Sequence, residues 1–230
     1  MVPSRAQRTS AILATSAHPA VLIGPSPGAA GSTGLFLATA FPAGALVFEE
    51  QAALWAPAEA GHATKLWALV EEAFTQGWAA DFVGDSDVSA LWLYWDDADD
   101  AEVVAAAARH GVMPHVVQAV YKDLARTNLR TPPPQDACGF WPVLAHMNHS
   151  CQPNAVVSDV GSVGTKQVVT LRPVVPGEEL VFSYAYLPTA ETPWLAESRK
   201  LYFYAKYGFD CGCPACRDDV AMESVGSPPV

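Results

Sequence analysis

Hydrophobic and polar positions change their rhythm twice along the chain. Near the amino end the apolar residues come in short extended runs. Val21-Leu22-Ile23-Gly24, Leu35-Phe36-Leu37-Ala38 and Ala45-Leu46-Val47-Phe48-Glu49-Glu50 each predict a strand. A glycine-rich loop over 25–34 and the turn Phe41-Pro42-Ala43-Gly44 separate them. From about residue 57 to 127 the spacing becomes helical. Leu66, Leu69, Val70, Ala73 and Phe74 fall on one helical face, and Leu91, Trp92 and Trp95 make a second stripe. The aromatic residues Trp92, Tyr94 and Trp95 read most simply as core rather than as a binding surface. Asp99 or Asp100 can cap a helix over 101–110 that Gly111 stops. Pro114 suits the first turn of the next helix, where Val116, Val117, Val120, Tyr121 and Leu124 share a face. The prolines at 132–134 then break the pattern and predict a loop.

Extended runs return afterwards. Ala155-Val156-Val157 and Gln167-Val168-Val169-Thr170-Leu171 flank a glycine-rich turn and are expected to pair. Pro176-Gly177 makes another turn, and Glu178 to Tyr184 runs out of it with Leu180 and Phe182 alternating. A last helix is predicted over about 191–206, with Leu195, Leu201 and Tyr202 turned inward. The order of elements is that of a mainly β fold with an α insertion.

Composition narrows the class. Half of the 230 residues are hydrophobic, enough for a sizeable core, yet no apolar run approaches the roughly 18–20 residues of a membrane span. The amino end has Arg5 and Arg8 and no acid before Glu49, as organelle transit peptides do. Only about fifteen residues precede the first strand pattern, so residues 1–17 are expected to be a flexible terminus rather than a targeting segment. The tail from 218 to 230 is expected to be disordered. The net charge is −11, and thirteen acids against the single base Lys65 lie between Glu49 and Glu102. A face of that sign repels nucleic acid and steers basic peptides inward, although solvated helix surfaces also carry such charge.

The densest chemistry is Asn148-His149-Ser150-Cys151-Gln152-Pro153-Asn154, which sets amides, an imidazole and a thiol beside a proline that fixes the backbone. Asn-His-Ser also fits the N-glycosylation pattern, which matters only in a secreted chain. Of the five cysteines, Cys211, Cys213 and Cys216 lie within six residues, too close for an ordinary disulfide framework. They supply three thiolates of a structural zinc site, and the fourth must come from Cys151 or Cys138. Cys151 is preferred, because the Pro153 turn fixes its direction.

Together these motifs resemble the SET-domain protein-lysine methyltransferases. The matching residues are the Asn148–Asn154 run, Gly177-Glu178-Glu179-Leu180 leading to Tyr184, and Tyr207-Gly208-Phe209 followed by Cys211, Cys213 and Cys216. Gly34-Leu35-Phe36 and the stretch from Pro42 to Glu50 match the family's first strands. The motifs occur in family order over about 20–216. The likeness is greatest to the SET-and-MYND branch, without its MYND finger and long carboxy-terminal helical domain.

The resemblance implies a β-clip SET fold of small curved sheets. Its core would run over 18–206 with a helical insertion at about 57–127, a pseudoknot at Asn148–Asn154, and a zinc-bound post-SET region at 207–217. It implies S-adenosylmethionine as cofactor, held by Gly34, Leu35, Asn128, Asn148, His149, Tyr184 and Phe209. Tyr184 and Tyr207 would be the catalytic residues, and Cys151, Cys211, Cys213 and Cys216 the ligands of a structural Zn2+. Arg130 and Ser32-Thr33 stand where the branch has an aromatic residue and a basic or amide residue. The implied activity is methyl transfer to a lysine of a basic protein such as a histone, by a nuclear or cytoplasmic monomer binding neither nucleic acid nor membrane. Two rivals are a non-catalytic SET-fold module that binds a peptide or ligand, and a SET-fold enzyme acting on a small molecule.

Overall fold

The computed structural model describes residues 20–27, 33–56, 62–79, 100–127, 129–130, 138–161, 164–185 and 195–217. The expected stripe at Leu91, Trp92 and Trp95, the loop at 131–136, Asn128 and both chain ends lie outside these residues. Strands come first: β1 (Val21–Pro25), β2 (Thr33–Leu37), β3 (Leu46–Gln51) and β4 (Leu54–Ala56). Three helices follow, α1 (His62–Thr75), α2 (Asp100–His110) and α3 (Pro114–Thr127). Then come β5 (Leu129–Arg130), β6 (Cys138–Phe140), β7 (Asn148–His149), β8 (Ala155–Asp159), β9 (Thr165–Thr170) and β10 (Glu179–Phe182), and last α4 (Ala196–Tyr207). The strands form three small sheets, ordered β1-β2-β10-β7, β3-β9-β8 and β4-β6-β5. This is the expected mainly β architecture with inserted helices. Among the described residues no helix is long and apolar enough to cross a membrane.

The chain divides into two compact units that alternate along the sequence. The first takes its described residues from Glu49–Ala145 and Asp159–Lys166. In it Leu66, Leu69, Val70 and Ala73 of α1 are buried at helical spacing against Val117, Val120, Tyr121 and Leu124 of α3, with Val103, Ala106 and Ala107 of α2. Each fully buried Leu or Val contributes about 1.5–3 kcal/mol. Gly111, at φ 64°, ends α2 as expected. The β4-β6-β5 sheet joins this core through Leu54, Ala56, Cys138 and Phe140. Gly139 is needed there, since a Cβ would come 2.5 Å from the Trp141 ring. At the head of the 3-10 turn Leu144–His146, the buried Glu50 carboxylate accepts the N–H groups of Val143 (2.8 Å) and Leu144 (2.9 Å).

The second unit takes its described residues from His18–Phe48, His146–Ser158 and Gln167–Val230. Its sheet centres on β10, antiparallel to β2 on one side (Leu180 opposite Leu35) and parallel to β7 on the other (Val181 beside Asn148, Phe182 beside His149). Val21, Leu35, Leu37, Leu180 and Phe182 are its buried apolar positions among the described residues. Asn154 ties the 148–154 run to β10. Its Nδ2 donates to the Glu179 carbonyl (2.8 Å) and its Oδ1 accepts the Val181 N–H (2.9 Å).

The last helix differs from expectation. Leu195 precedes it and is 64% exposed, Leu201 is 69% exposed, and Tyr202 is half-buried. The buried face instead carries Ala196, Arg199 and Phe203, three and four residues apart, and Leu201 lies off that stripe. Gly208, in the left-handed region at φ 75°, closes the helix and turns the chain toward the cysteines.

Candidate active site and thiol cluster

The conformation of Asn148–Asn154 follows from its neighbours in the second unit. Lying parallel to β10, Asn148 and His149 sit beside Val181 and Phe182, two residues before Tyr184. The Tyr184 backbone N–H donates to His149 Nδ1 (3.1 Å). Nδ1 must therefore carry the lone pair, which leaves the proton on Nε2, 3.3 Å from Cys151 Sγ. Burial pushes the His149 pKa down to about 4, against the opposing influence of Cys213 and the Phe182 carbonyl, so the ring is neutral near pH 7. A neutral ring with Nδ1 engaged as acceptor and Nε2–H as donor organises its surroundings.

Aromatic rings gather around it. The His149 and Phe203 centroids are 3.9 Å apart, and Tyr184 and Phe209 lie at 5.4 and 6.0 Å from His149. The Tyr184 hydroxyl donates to the Met147 carbonyl (2.8 Å), which fixes its oxygen and leaves that oxygen's lone pairs as acceptors. Tyr207 donates from its hydroxyl to the Tyr184 carbonyl (3.2 Å), with ring centroids 5.3 Å apart. Phe209 is half-buried beside Phe203, at 5.6 Å and nearly parallel.

Asn148 faces the other way. Its Nδ2 donates to Glu179 Oε1 (2.7 Å) and to the Thr33 carbonyl (3.0 Å), next to Gly34. A Cβ at Gly34 would overlap the Glu179 carboxylate, so glycine leaves that carboxylate room to lie against β2 in this position. Leu35 is fully buried between its ladder partners Ile23 and Leu180, and its side chain belongs to the core. Asn128 lies outside the described residues.

The sulfur atoms of Cys151, Cys211, Cys213 and Cys216 all lie within 4.8 Å of one another. Cys151 is 3.9 Å from Cys211 and 3.6 Å from Cys216, far beyond the roughly 2.05 Å of a disulfide. A turn with the Cys216 and Arg217 N–H groups on the Cys213 carbonyl aims the last two thiols. Hydrogen bonds from Cys151 and Cys211 hold the Cys213 thiol far below its ordinary pKa. Bonds to Cys211 and Cys213, then burial, push Cys151 far above. Four sulfurs converging within 4.8 Å fit a thiophilic dication, whose binding would displace their protons. Cys138 is elsewhere, buried in β6 within the first unit's core.

Sequence reasoning passed over Glu179 as a site residue, and with it Ser26, His146 and Phe203. Ser26 donates to Glu179 Oε2 (3.0 Å), and Thr33 Oγ1 lies 2.7 Å from His146 Nδ1. The signal for Glu179 was its place in Gly177-Glu178-Glu179-Leu180, beside a glycine-bearing strand.

An aromatic-walled tyrosine pair, a strand glycine pressed on a carboxylate and a neighbouring thiol cluster define a recognisable class. The chain belongs to the SET-domain family, whose sequence profile matches residues 32–185. Among curated relatives, human protein-lysine N-methyltransferase SMYD4 is 33% identical over 90 residues, covering 39% of this chain and 11% of that protein. The Arabidopsis thaliana histone-lysine N-methyltransferase ATXR2 is 29% identical over 141 residues, covering 60% of this chain and 26% of its own. The chain thus spans only a small part of the relatives it matches. The solved SET domain of LSMT, crystallised with lysine and AdoHcy, superposes with a TM-score of 0.56 over 90% of this chain and 57% of that one. At 11% identity that likeness speaks to the fold.

Proposed function

We propose that this chain is a protein-lysine N-methyltransferase that uses S-adenosylmethionine and carries a structural zinc at Cys151, Cys211, Cys213 and Cys216. The observation that carries this reading is Tyr184, its hydroxyl anchored on the Met147 carbonyl among the rings of His149, Tyr207 and Phe209. The names of the relatives, protein-lysine and histone-lysine N-methyltransferases, agree with it.

When bound, S-adenosylmethionine would supply a sulfonium methyl group whose carbon a neutral amine attacks in line as the C–S bond breaks and the thioether leaves as S-adenosylhomocysteine. The Tyr184 oxygen, with its proton committed to Met147, offers lone pairs to polarised C–H or N–H groups. Gly34, Asn148, His149 and Phe209 would hold the cofactor, and Asn128 adds a contact on family resemblance alone. Tyr207 braces Tyr184 through its carbonyl and would wall the lysine channel. Fewer than about one lysine in a thousand is neutral near pH 7, and aromatic walls that solvate an ammonium poorly favour the neutral amine. Residues 207–217 would form the zinc-bearing post-SET region.

The acids between Glu49 and Glu102 favour a lysine-rich substrate, a histone tail or another basic protein, and argue against direct nucleic-acid binding. A nuclear or cytoplasmic monomer with no membrane association accords with this. The test is transfer of labelled methyl from S-adenosylmethionine to a panel of basic proteins by the wild type and Tyr184→Phe. Wild-type transfer is expected, with a loss of about 10²-fold or more in Tyr184→Phe, the size seen when a preorganised polar group at a reaction centre is removed. A wild type that binds the cofactor yet methylates nothing would falsify the activity and favour a ligand-binding SET module.

A further inference from the structure

We infer that Glu179 is a positioning residue for cofactor binding. Its carboxylate fixes which end of the Asn148 amide faces the protein and which end faces a bound molecule. The inference rests on the methyltransferase reading above and adds to it a residue outside the expected cofactor contacts.

Glu179 sits at the start of β10, between β2 and β7, where its side chain can reach both neighbouring strands. Both carboxylate oxygens are engaged, Oε2 by the buried Ser26 hydroxyl (3.0 Å) and Oε1 by Asn148 Nδ2 (2.7 Å). The carboxylate is also held against Gly34, where a Cβ would overlap it. Asn148 Nδ2 bonds in addition to the Thr33 carbonyl (3.0 Å), and Thr33 Oγ1 meets the His146 ring at 2.7 Å.

A carboxylate and a peptide carbonyl are acceptors only, so the Asn148 amide must turn its NH2 group to both. Each amide hydrogen then has a partner inside the protein. What the side chain can offer a ligand is the acceptor Oδ1. An isolated asparagine interconverts its two ends by a simple rotation, and here Glu179, by the shorter bond, acts with the Thr33 carbonyl to remove that freedom. Ser26 and Gly34 hold Glu179 in turn. The effect of Glu179 on a bound molecule therefore passes through Asn148.

This path makes a distinctive experimental signature. Binding of S-adenosylhomocysteine would be measured by titration calorimetry for the zinc-loaded wild type, Glu179→Gln, Glu179→Ala, Asn148→Ala and the double variant Glu179→Ala/Asn148→Ala. Glu179→Ala is expected to weaken binding about tenfold, the scale of one charge-assisted hydrogen bond. Glu179→Gln is expected to recover most of it, because its amide oxygen still accepts from Asn148 while Ser26 becomes an acceptor for its NH2. In the Asn148→Ala background, removing Glu179 should change binding less than about twofold, as expected when one residue acts through the other. In protein labelled with 15N-asparagine, the buried Asn154 side-chain amide pair, bonded to Glu178 and the Glu179 carbonyl, should be protected from solvent exchange, and so should a second pair, that of Asn148. The Asn148 pair should vanish in Asn148→Ala and lose protection in Glu179→Ala while the backbone amides of β2 and β10 stay protected. Additive losses in the double variant, or an Asn148 amide that keeps its protection without Glu179, would overturn the inference. A wild type that binds no S-adenosylhomocysteine would overturn the methyltransferase reading as well, whatever the amide spectra show.

Discussion

Glu50 should make the protein lose stability as pH rises through neutrality. The residue is 5% exposed, and burial raises its carboxyl pKa to about 7 despite the Val143 and Leu144 N–H bonds that pull the other way. Because the folded-state pKa lies above the unfolded value of 4.5, the native protein binds more protons between the two. The stabilising contribution is thus complete below about pH 4.5 and is lost as pH rises through about 7. A separation near 2.5 units corresponds to about 3 kcal/mol in full, of which about 2.5 kcal/mol falls between about pH 5 and about pH 8. Glu50→Gln removes the titration. It also leaves one of the two N–H groups facing an NH2, which costs about 1–3 kcal/mol at every pH. The assay is urea unfolding of zinc-saturated wild type and variant across that range, read as the difference between their stabilities. Other carboxylates titrate in both proteins and cancel. The wild-type advantage should shrink by about 2.5 kcal/mol from the acid to the alkaline end. A difference that is flat with pH, or that widens, refutes the claim that burial governs this carboxylate.

Further expectations concern the second unit and the charge. Cys151→Ser should lower zinc affinity at least about tenfold and expose the 207–217 segment to proteolysis, whereas Cys138→Ser should leave metal content unchanged. Full zinc loading without Cys151, measured by metal analysis after dialysis, would show the fourth ligand to be wrong. Tyr207→Phe removes the bond to the Tyr184 carbonyl, with about 1 kcal/mol lost from thermal stability. It should lower kcat for methyl transfer more than it raises KM for cofactor. The KM for a basic protein substrate should rise several-fold between about 50 and 300 mM salt if the acidic 49–102 stretch steers binding, and a salt-independent KM would remove that role.

Much of the fold was legible because its helices are strongly periodic. Leu66, Leu69, Val70 and Ala73, and Val117, Val120, Tyr121 and Leu124, are buried as their spacing required. The thiol cluster was legible because its three downstream cysteines are so close in sequence and Pro153 restricts the fourth. The short strands β4 and β6 were not, since three residues each are too few to show a period, and Gly139 gives no apolar signal. The face of α4 was misread because hydrophobicity alone favoured Leu195 and Leu201. The fold instead buries the line through Ala196, Arg199 and Phe203, which includes a charged residue. Glu179 was missed as a functional residue for a related reason. An acid in a strand reads as a solvent-facing position, and only the tertiary arrangement turns it toward Ser26, Asn148 and Gly34.

The histidine at 149 shows why the thiol cluster and the tyrosine pair belong to one arrangement. An imidazolium would donate from both nitrogens, and Nδ1 would then oppose the Tyr184 N–H that the structure directs at it. The site therefore requires the neutral ring, which burial supplies by pushing the pKa down to about 4. With Nδ1 fixed as acceptor, Nε2–H is fixed as donor, and the atom it meets is the Cys151 sulfur. As the thiolate of a metal ligand, Cys151 would accept that bond and so set the plane of the ring. The ring in turn sets the backbone at Tyr184, whose hydroxyl and carbonyl are gripped by Met147 and Tyr207. A metal that tethered the cysteine-bearing tail through Cys151 would thus do more than stabilise the carboxy-terminal end. It would orient the imidazole on which the backbone at Tyr184 rests.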